Sequence, residues 1–414
     1  MIGSGAREHA IVRSLLSDPI TESVDCAPGN AGIALEVPTH AIDVKNAAAI
    51  TLLAQQLDVD LVVIGPEVPL AHGAADAVTA AGIACFGPLR AAAKLEASKS
   101  FAKEVMTAAN VPTSNSYTCN NVEDVEKAMA EFGAPYVIKD DGLAAGKGVV
   151  VTNEKDVAIA HAAECFANPD AKVVVEEFLD GPEVSLFLLC DGKSVVPLQP
   201  AQDFKRVGDN DAGPNTGGMG AYSPLPWAQA DLAEYVVANI GQPVIDYMQK
   251  IGTPFSGVLF VGLAITSKGP KVIEFNARFG DPETQVVLAR LKTPLASVLY
   301  FAATGKLNQL PPLEWSQDVA VNVVVASENY PKSPVLGDVI AGLDRAAALP
   351  NIQVLHAGTA ERAGEIITAG GRVLSVTATG PDLKTTRARA YEAVGQIRIR
   401  GAHFRTDIAQ KAAN

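Results

Sequence analysis

The sequence offers no Cys-x-x-Cys pair: its five cysteines, Cys26, Cys85, Cys119, Cys165 and Cys190, are scattered, and the one histidine close to any of them, His161 before Cys165, stands alone rather than in a set of metal ligands. That spacing excludes a zinc knuckle or a redox dithiol and fits small buried side chains in a reducing compartment. The six histidines are equally dispersed, so neither a metal cluster nor a Ser-His-Asp arrangement is suggested. Long apolar runs are missing too. The longest, such as Phe255 to Thr266, fall short of the ~20 residues needed to span a bilayer, and the start has no basic segment leading into an apolar one. The expectation is a cytoplasmic protein with no membrane contact. Positive charge is scarce, 33 Lys and Arg against 46 Asp and Glu for a net −13. General affinity for nucleic acid requires clustered cations and is excluded, so a phosphorylated ligand would need a local basic pocket.

What is present is apolar content of 48% with 35 Gly and 26 Pro over 414 residues, the composition of a folded, turn-rich α/β protein. At roughly 150 residues per unit, about three domains or compact subdomains are expected.

Two segments carry chemistry. The first, D-G-L-A-A-G-K-G from Asp141 to Gly148, sits between the strand-like runs Tyr136–Ile138 and Val149–Val151 and reads as the tip of a β-hairpin. It is not a Walker loop, which needs four residues between its glycines and then Lys-Ser or Lys-Thr opening a helix. Its glycines let backbone N–H groups approach an anion, and Lys139 and Lys147 place positive charge beside it. In the second, V-I-E-F-N-A-R-F-G-D-P-E from Val272 to Glu283, strand alternation puts Glu274 and Asn276 on one face, with Arg278 if the strand continues, and turns Ile273 and Phe275 to the core. Two oxygen ligands on one face suit Mg²⁺, which keeps waters and shares substrate phosphates. Together the segments point to ATP-driven bond formation.

Residues 1–99 alternate helices and apolar strands, with a glycine turn at Gly3–Gly5 opening a helix, a strand at Leu61–Ile64 and the loop Gly65-Pro66-Glu67. This rhythm predicts an open parallel sheet with ligands at the strands' carboxyl ends. A small α+β unit is expected over 119–185, a larger one from 100–118 and 186–318, and a last block over 319–414. Helices are expected at Ser98–Ala109, Val122–Phe132 and Leu232–Ile251, and strands at Lys172–Phe178, Val184–Cys190 and Val319–Ala326.

These residues resemble the ATP-grasp superfamily, in which ATP lies between two α+β subdomains beneath a glycine hairpin. G-S-G-A-R-E-H (Gly3 to His9), A-P-G-N-A-G (Ala27 to Gly32), G-P-E-V-P-L (Gly65 to Leu70), K-R-V-G-D (Lys205 to Asp209), G-P-N-T-G-G-M-G-A-Y-S-P (Gly213 to Pro224), N-A-R-F-G-D-P-E-T-Q (Asn276 to Gln285) and G-G-R-V-L (Gly370 to Leu374) narrow it to the phosphoribosylamine–glycine ligase family. The resemblance implies an α/β and α+β architecture: an N-terminal Rossmann-like parallel sheet, an ATP-grasp core and a small C-terminal mixed α/β domain. It implies glycine, 5-phosphoribosylamine and ATP giving glycinamide ribonucleotide, ADP and phosphate through glycyl phosphate, the second step of de novo purine synthesis. A different acid or amine, or a nucleotide sensor without catalysis, are the alternatives.

Carried over by position, the resemblance implies that Lys103 and Lys139 hold ATP phosphates while Gly142, Gly146, Lys147 and Gly148 close over them. Glu176, Glu177, Phe178 and Leu179 match the adenine-reading hinge, and Glu183 the ribose contact. Glu274 and Asn276 match ligands of Mg²⁺ or Mn²⁺. Arg278, with Gly280 and Asp281, matches the site for the glycine carboxylate or the acyl phosphate. Gly5, Asn30, Gly32, Glu67, Lys205 and Arg206 are expected at the phosphoribosylamine. Lys139, Lys147 and Arg278 carry the catalytic charge. Nothing argues for a dimer, and a monomer is expected. The chain departs from the family in a short first strand, in Ala6 for a usual Gly, in Asp140 for a usual Ala, and in Phe204 for the usual His before Lys205.

Overall fold

The computed structural model describes residues 1–143, 148–168 and 170–413. The first strand, Ile2–Gly3, is as short as the sequence predicts, yet it is held from both sides. It pairs in parallel with Ala27–Pro28, and Ile2 also bridges Ile64, the continuation of a parallel pair between Leu61–Val63 and Ala84–Phe86. The Ala27 N–H donates to the Met1 carbonyl at 2.8 Å and the Gly65 N–H to the Ile2 carbonyl at 2.9 Å. Two residues suffice because both ladders meet on a buried Ile2.

The small α+β unit is a four-stranded antiparallel sheet in the order Ser116–Cys119, Val173–Glu176, Tyr136–Asp140, Val149–Thr152. Helices Val122–Phe132 and Lys155–Cys165 bury Val125, Met129, Ala158 and Ala162 against Ile138 and Val175, a core separate from the rest of the protein. Asn121 starts the first of these helices by accepting from the Asp124 N–H at 2.9 Å. The glycine segment joins the two neighbouring strands, with Lys139 opposite Val149.

A second antiparallel sheet orders Val195–Pro197, Glu183–Asp191, Ser256–Thr266 and Gly269–Asn276. One expectation fails here, and a condition set for another is not met. Gly262 pairs with Glu274 but Leu263 pairs with Val272, so Ile273 is an extra residue in a β-bulge. The bulge breaks the alternation: Val272 enters the core and Phe275 packs in it while also bordering the main cleft, whereas Ile273 only lines the cleft. The strand also stops at Asn276, so Arg278 stands on the loop beyond it. The expected helix Leu232–Ile251 is helical throughout but passes through a π turn at Val237–Gly241, where Pro243 supplies no N–H.

The third sheet orders Gln202–Asp203, Gly220–Ser223, Val319–Ala326, Arg372–Gly380 and Ile352–His356. It crosses position 319, Gly220 pairing with Val323, and so brings the loop between Asp203 and Gly220 beside Arg372. Helix Leu383–Val394 covers it. Among the described residues no helix is long and apolar enough to cross a membrane.

Candidate active site

The three sheets and the N-terminal unit enclose a cleft of ≈ 1430 Å³. That exceeds the roughly 300–1,000 Å³ of a single small-molecule site and leaves room for more than one substrate. Its apolar end is walled by Met106, Val137, Leu179, Ile273 and Phe275, surfaces that suit the two faces of a planar base. Beside them runs the connecting chain Glu176–Leu179, with the Glu177 N–H donating to the Asn115 carbonyl and the Glu177 carboxylate accepting from the Asn115 amide at 3.1 Å. Phe178 and Leu179 both line the cleft, Phe178 with its side chain exposed at the rim.

The Glu176 carboxylate does not hang free for a base. It is buried between Lys103 at 3.3 Å and Lys139 at 3.0 Å, and accepts from the Ser114 hydroxyl at 2.7 Å. Burial lowers Lys103 to about 8, with Glu176 opposing and Lys139 reinforcing the fall. One carboxylate therefore serves two ammonium groups, and the surplus positive charge faces the cleft. Lys99, four residues before Lys103 on the same helix face, adds a third cation, its Nζ donating to the Gly142 carbonyl at 3.0 Å. Asp140, the unusual acid, accepts from the Gly142 N–H at 3.2 Å and so belongs to the hairpin's own turn. Gly148 lines the cleft; Gly146 and Lys147 lie outside the described residues.

Glu274 and Asn276 stand side by side on the cleft floor. Burial works to raise the Glu274 carboxyl, but Lys205, Lys139, Lys99 and Arg278 outweigh it and hold it below the usual range. An ionised carboxylate and an amide oxygen fit a hard cation that draws its remaining ligands from phosphate and water. No three His, Cys, Asp or Glu side chains form a ready metal cage among the described residues. The neighbouring strand Ser256–Thr266 supplies no carboxylate, but Asp203 and Glu283 do approach. Burial pushes both up, and each is within the field of Lys205; Glu283 also accepts from the Ser185 hydroxyl at 2.9 Å. The sequence signal for Asp203 is its spacing of two from Lys205, which places both on one face of an extended segment.

Arg278 reaches Glu96 at 3.0 Å and Glu67 at 3.4 Å, and its Nη2 lies 3.5 Å from the Asn276 side-chain oxygen Oδ1. Burial opposes its charge, but Glu96 and Glu67 more than compensate and raise it further. Its buried Nε finds no hydrogen-bond acceptor despite the nearby Glu67, leaving a donor unsatisfied. Glu96 itself is held by the Ala277 N–H at 2.7 Å. Gly280 packs under Glu283 and Phe260, and Asp281 accepts from Gln285 at 2.8 Å and pairs with Arg372 at 3.4 Å. Arg372 also donates to the carbonyls of Gly217 and Asp281, each at 2.6 Å. It belongs to the G-G-R-V-L motif, to which the sequence alone assigns no role.

The expected phosphoribosylamine residues separate into two groups. Glu67, Lys205 and Arg206 line the cleft. Lys205 is paired with Glu183 at 2.5 Å, so the carboxylate expected at a ribose holds an ammonium group, and Arg206 folds back onto the Gly213 carbonyl at 2.9 Å. Gly5, Asn30 and Gly32 are not part of the cleft lining, and their polar groups make bonds within the protein. The Gly5 N–H donates to Glu8, whose other oxygen takes Arg7. The Asn30 amide donates to the carbonyls of Ser4 and His356, both at 2.8 Å, and accepts from the N–H groups of Gly32 and Ile33, both at 2.9 Å. A Cβ on Gly32 would lie 2.2 Å from the His356 ring. Ala6 is buried beside Ala10 and Leu355 in the same seam.

Comparison with known proteins agrees with this arrangement. Residues 1–96, 97–284 and 320–411 match, in turn, the N domain, the ATP-grasp (A) domain and the C domain of phosphoribosylglycinamide synthetase. A phosphoribosylamine–glycine ligase of Streptomyces coelicolor is 61% identical over 415 residues, covering 100% of this chain and 99% of that one. One of Mycobacterium tuberculosis is 53% identical over 419 residues, covering 100% and 98%. The crystal structure of a phosphoribosylamine–glycine ligase from Thermotoga maritima superposes with a TM-score of 0.84 at 30% identity over 99% of both chains. With all three domains matched in order over nearly the whole sequence, the chain belongs to the phosphoribosylglycinamide synthetase family.

Proposed function

We propose that the protein joins glycine to 5-phosphoribosylamine, converting ATP to ADP and phosphate and yielding glycinamide ribonucleotide, and that it does so as a cytoplasmic monomer. A carboxylate is a poor acyl donor. A glycine carboxylate oxygen therefore attacks the γ-phosphorus, ADP leaves, and the amine of phosphoribosylamine attacks the carbonyl of glycyl phosphate, losing a proton as phosphate departs. No bond to the protein forms, so catalysis rests on placement and charge.

Lys103 and Lys139 hold the phosphates, with Lys99, Gly142 and Gly148 beside them. Glu274 and Asn276 would hold Mg²⁺ or Mn²⁺, which when bound neutralises charge on the transferring phosphoryl group. Arg278 and the loop at Gly280–Asp281 bind the glycine carboxylate or the acyl phosphate. Glu67, Lys205 and Arg206 face the sugar phosphate, while Asn30 and Gly32 serve it indirectly by shaping the turn. The observation that carries this reading is the convergence of Glu274, Asn276 and Arg278 beside the Lys103–Glu176–Lys139 group, whose Lys139 donates to the Ile273 carbonyl, in one cleft that extends to Arg7 and Glu67.

The test is ADP release with ATP, Mg²⁺, glycine and freshly generated phosphoribosylamine, omitting each component in turn. Release only in the complete mixture, with one glycinamide ribonucleotide per ADP, is the expected result. Release with glycine and ATP that no amine accelerates would overturn the assignment of the acceptor.

A further inference from the structure

Beyond helix Leu383–Val394 the chain returns to the cleft, and residues from Arg405 to Ala412 form part of its wall although the proposed reaction gives them no part. Arg405 is 1% exposed, and a guanidinium so enclosed needs partners for its donors. It has them: Nε and Nη2 each donate to the Asp407 carboxylate at 2.7 Å, and Nη1 donates to Asp211 at 2.8 Å and to the Arg206 carbonyl at 3.2 Å. Its plane also stands 4.9 Å from the centre of the Phe204 ring. Two backbone contacts extend the seam, from Thr406 N–H to Asp209 at 2.7 Å and from Asn210 N–H to Asp407 at 2.8 Å. From behind, the Tyr391 hydroxyl fixes the Arg405 carbonyl at 2.7 Å.

The loop so gripped is a short β ribbon, Arg206–Gly208 against Ala212–Asn215, whose tip is turned by Asn210 and Asp211, both at φ 56°. Arg405 and Asp407 hold that tip and the strand leading to it from outside the ribbon. Lys205 and Arg206 lie in the same segment, between Phe204 and the turn. We propose that Arg405 is a positioning residue that fixes the Phe204–Asp211 loop and thereby aims Lys205 and Arg206 at the sugar phosphate. This rests on the proposed role of those two cations. Charge alone would not serve: one planar group meets a carboxylate in two-point fashion, a second carboxylate, a carbonyl and a ring face, which an ammonium cannot reproduce.

The experiment compares wild type with Arg405→Ala and Arg405→Lys by hydrogen exchange of peptides covering 204–212 and by kcat and KM for each substrate. Expected are faster exchange confined to that loop and a fall of about tenfold to a hundredfold in kcat/KM for phosphoribosylamine. The KM for ATP should move by less than about twofold, and Lys should be nearly as impaired as Ala. Unchanged exchange with unchanged kcat/KM would overturn the proposal, as would an equal loss for all three substrates with faster exchange along the whole chain. If Arg405→Ala does not fold, Asp407→Asn keeps the volume and weakens the two-point contact; the same measurements on it support or overturn the proposal by the same outcomes. A wild type that makes no glycinamide ribonucleotide would refute the reaction instead, and loop exchange would still decide whether Arg405 holds the loop.

Discussion

Replacing Glu176 with Gln removes the single negative charge between two buried ammonium groups. Glu176, Lys103 and Lys139 are 4%, 7% and 3% exposed, so solvent cannot take the carboxylate's place. A carboxylate only accepts, whereas the Gln amide would turn a donor toward one of the lysines. Removing one partner of a buried ion pair destabilises by about 3–5 kcal/mol. Lys103, already lowered to about 8 with the carboxylate present, can relieve part of this by releasing its proton. The loss in the ligand-free protein should therefore sit near the lower bound, about 3 kcal/mol. Two consequences separate this from ordinary core damage. The unfolded chain holds the Lys103 proton up to the ordinary lysine value of 10.5, and without Glu176 the folded value drops below the wild type's about 8, so the variant's stability should climb with pH from below 8 toward 10.5, over a wider window than wild type's. ATP phosphates would also restore the missing charge, so nucleotide should stabilise the variant more than wild type. Urea unfolding at pH 7 and pH 9, with and without nucleotide, reads all three. A loss below about 1 kcal/mol with equal nucleotide protection of both proteins would refute a charge-balancing role for Glu176.

Glu274→Ala should cut kcat at least about a hundredfold while far-ultraviolet circular dichroism stays that of wild type, and turnover near normal would remove Glu274 as the metal ligand. Asn30→Ala strips four hydrogen bonds from the seam between Ser4, Ile33 and His356; a stability loss of about 2–3 kcal/mol is expected by denaturant titration, and a change confined to KM for phosphoribosylamine would mean that the side chain acts on substrate. His356, pushed down to about 4 by burial and then by His9 and Arg13, is neutral in the folded protein at pH values where the unfolded chain is protonated. Stability should be full above about 6.5 and drop by about 3 kcal/mol as pH falls to 4, with His356→Asn flattening that slope; parallel profiles for the two proteins would contradict it.

What the sequence makes legible here is what neighbouring residues decide. Helix Val122–Phe132 and strand Val319–Ala326 have the predicted bounds, the first because Asn121 caps it and its apolar spacing is helical, the second because a β-branched run has turn residues on both sides. The glycine segment joins two paired strands for the same reason, its glycines lying between alternating runs. Ile273 cannot be placed this way: whether a strand takes an extra residue is settled by the partner strand, and the bulge appears only where Gly262 and Leu263 meet it. The lysines are legible as cations but not as a set, since Lys103 and Lys139 come together only through Glu176 and Ser114, on separate stretches of chain. Arg372 and Arg405 are the extreme case. Both reach the site from the last block, Arg372 donating to Gly217 and Arg405 to Arg206 across 155 and 199 residues, and their local context, a strand start and a polar tail, looks like any solvated arginine. Contacts made across that much chain are invisible to periodicity, yet they tie the last block to the two loops that carry Lys205, Arg206 and Asp281.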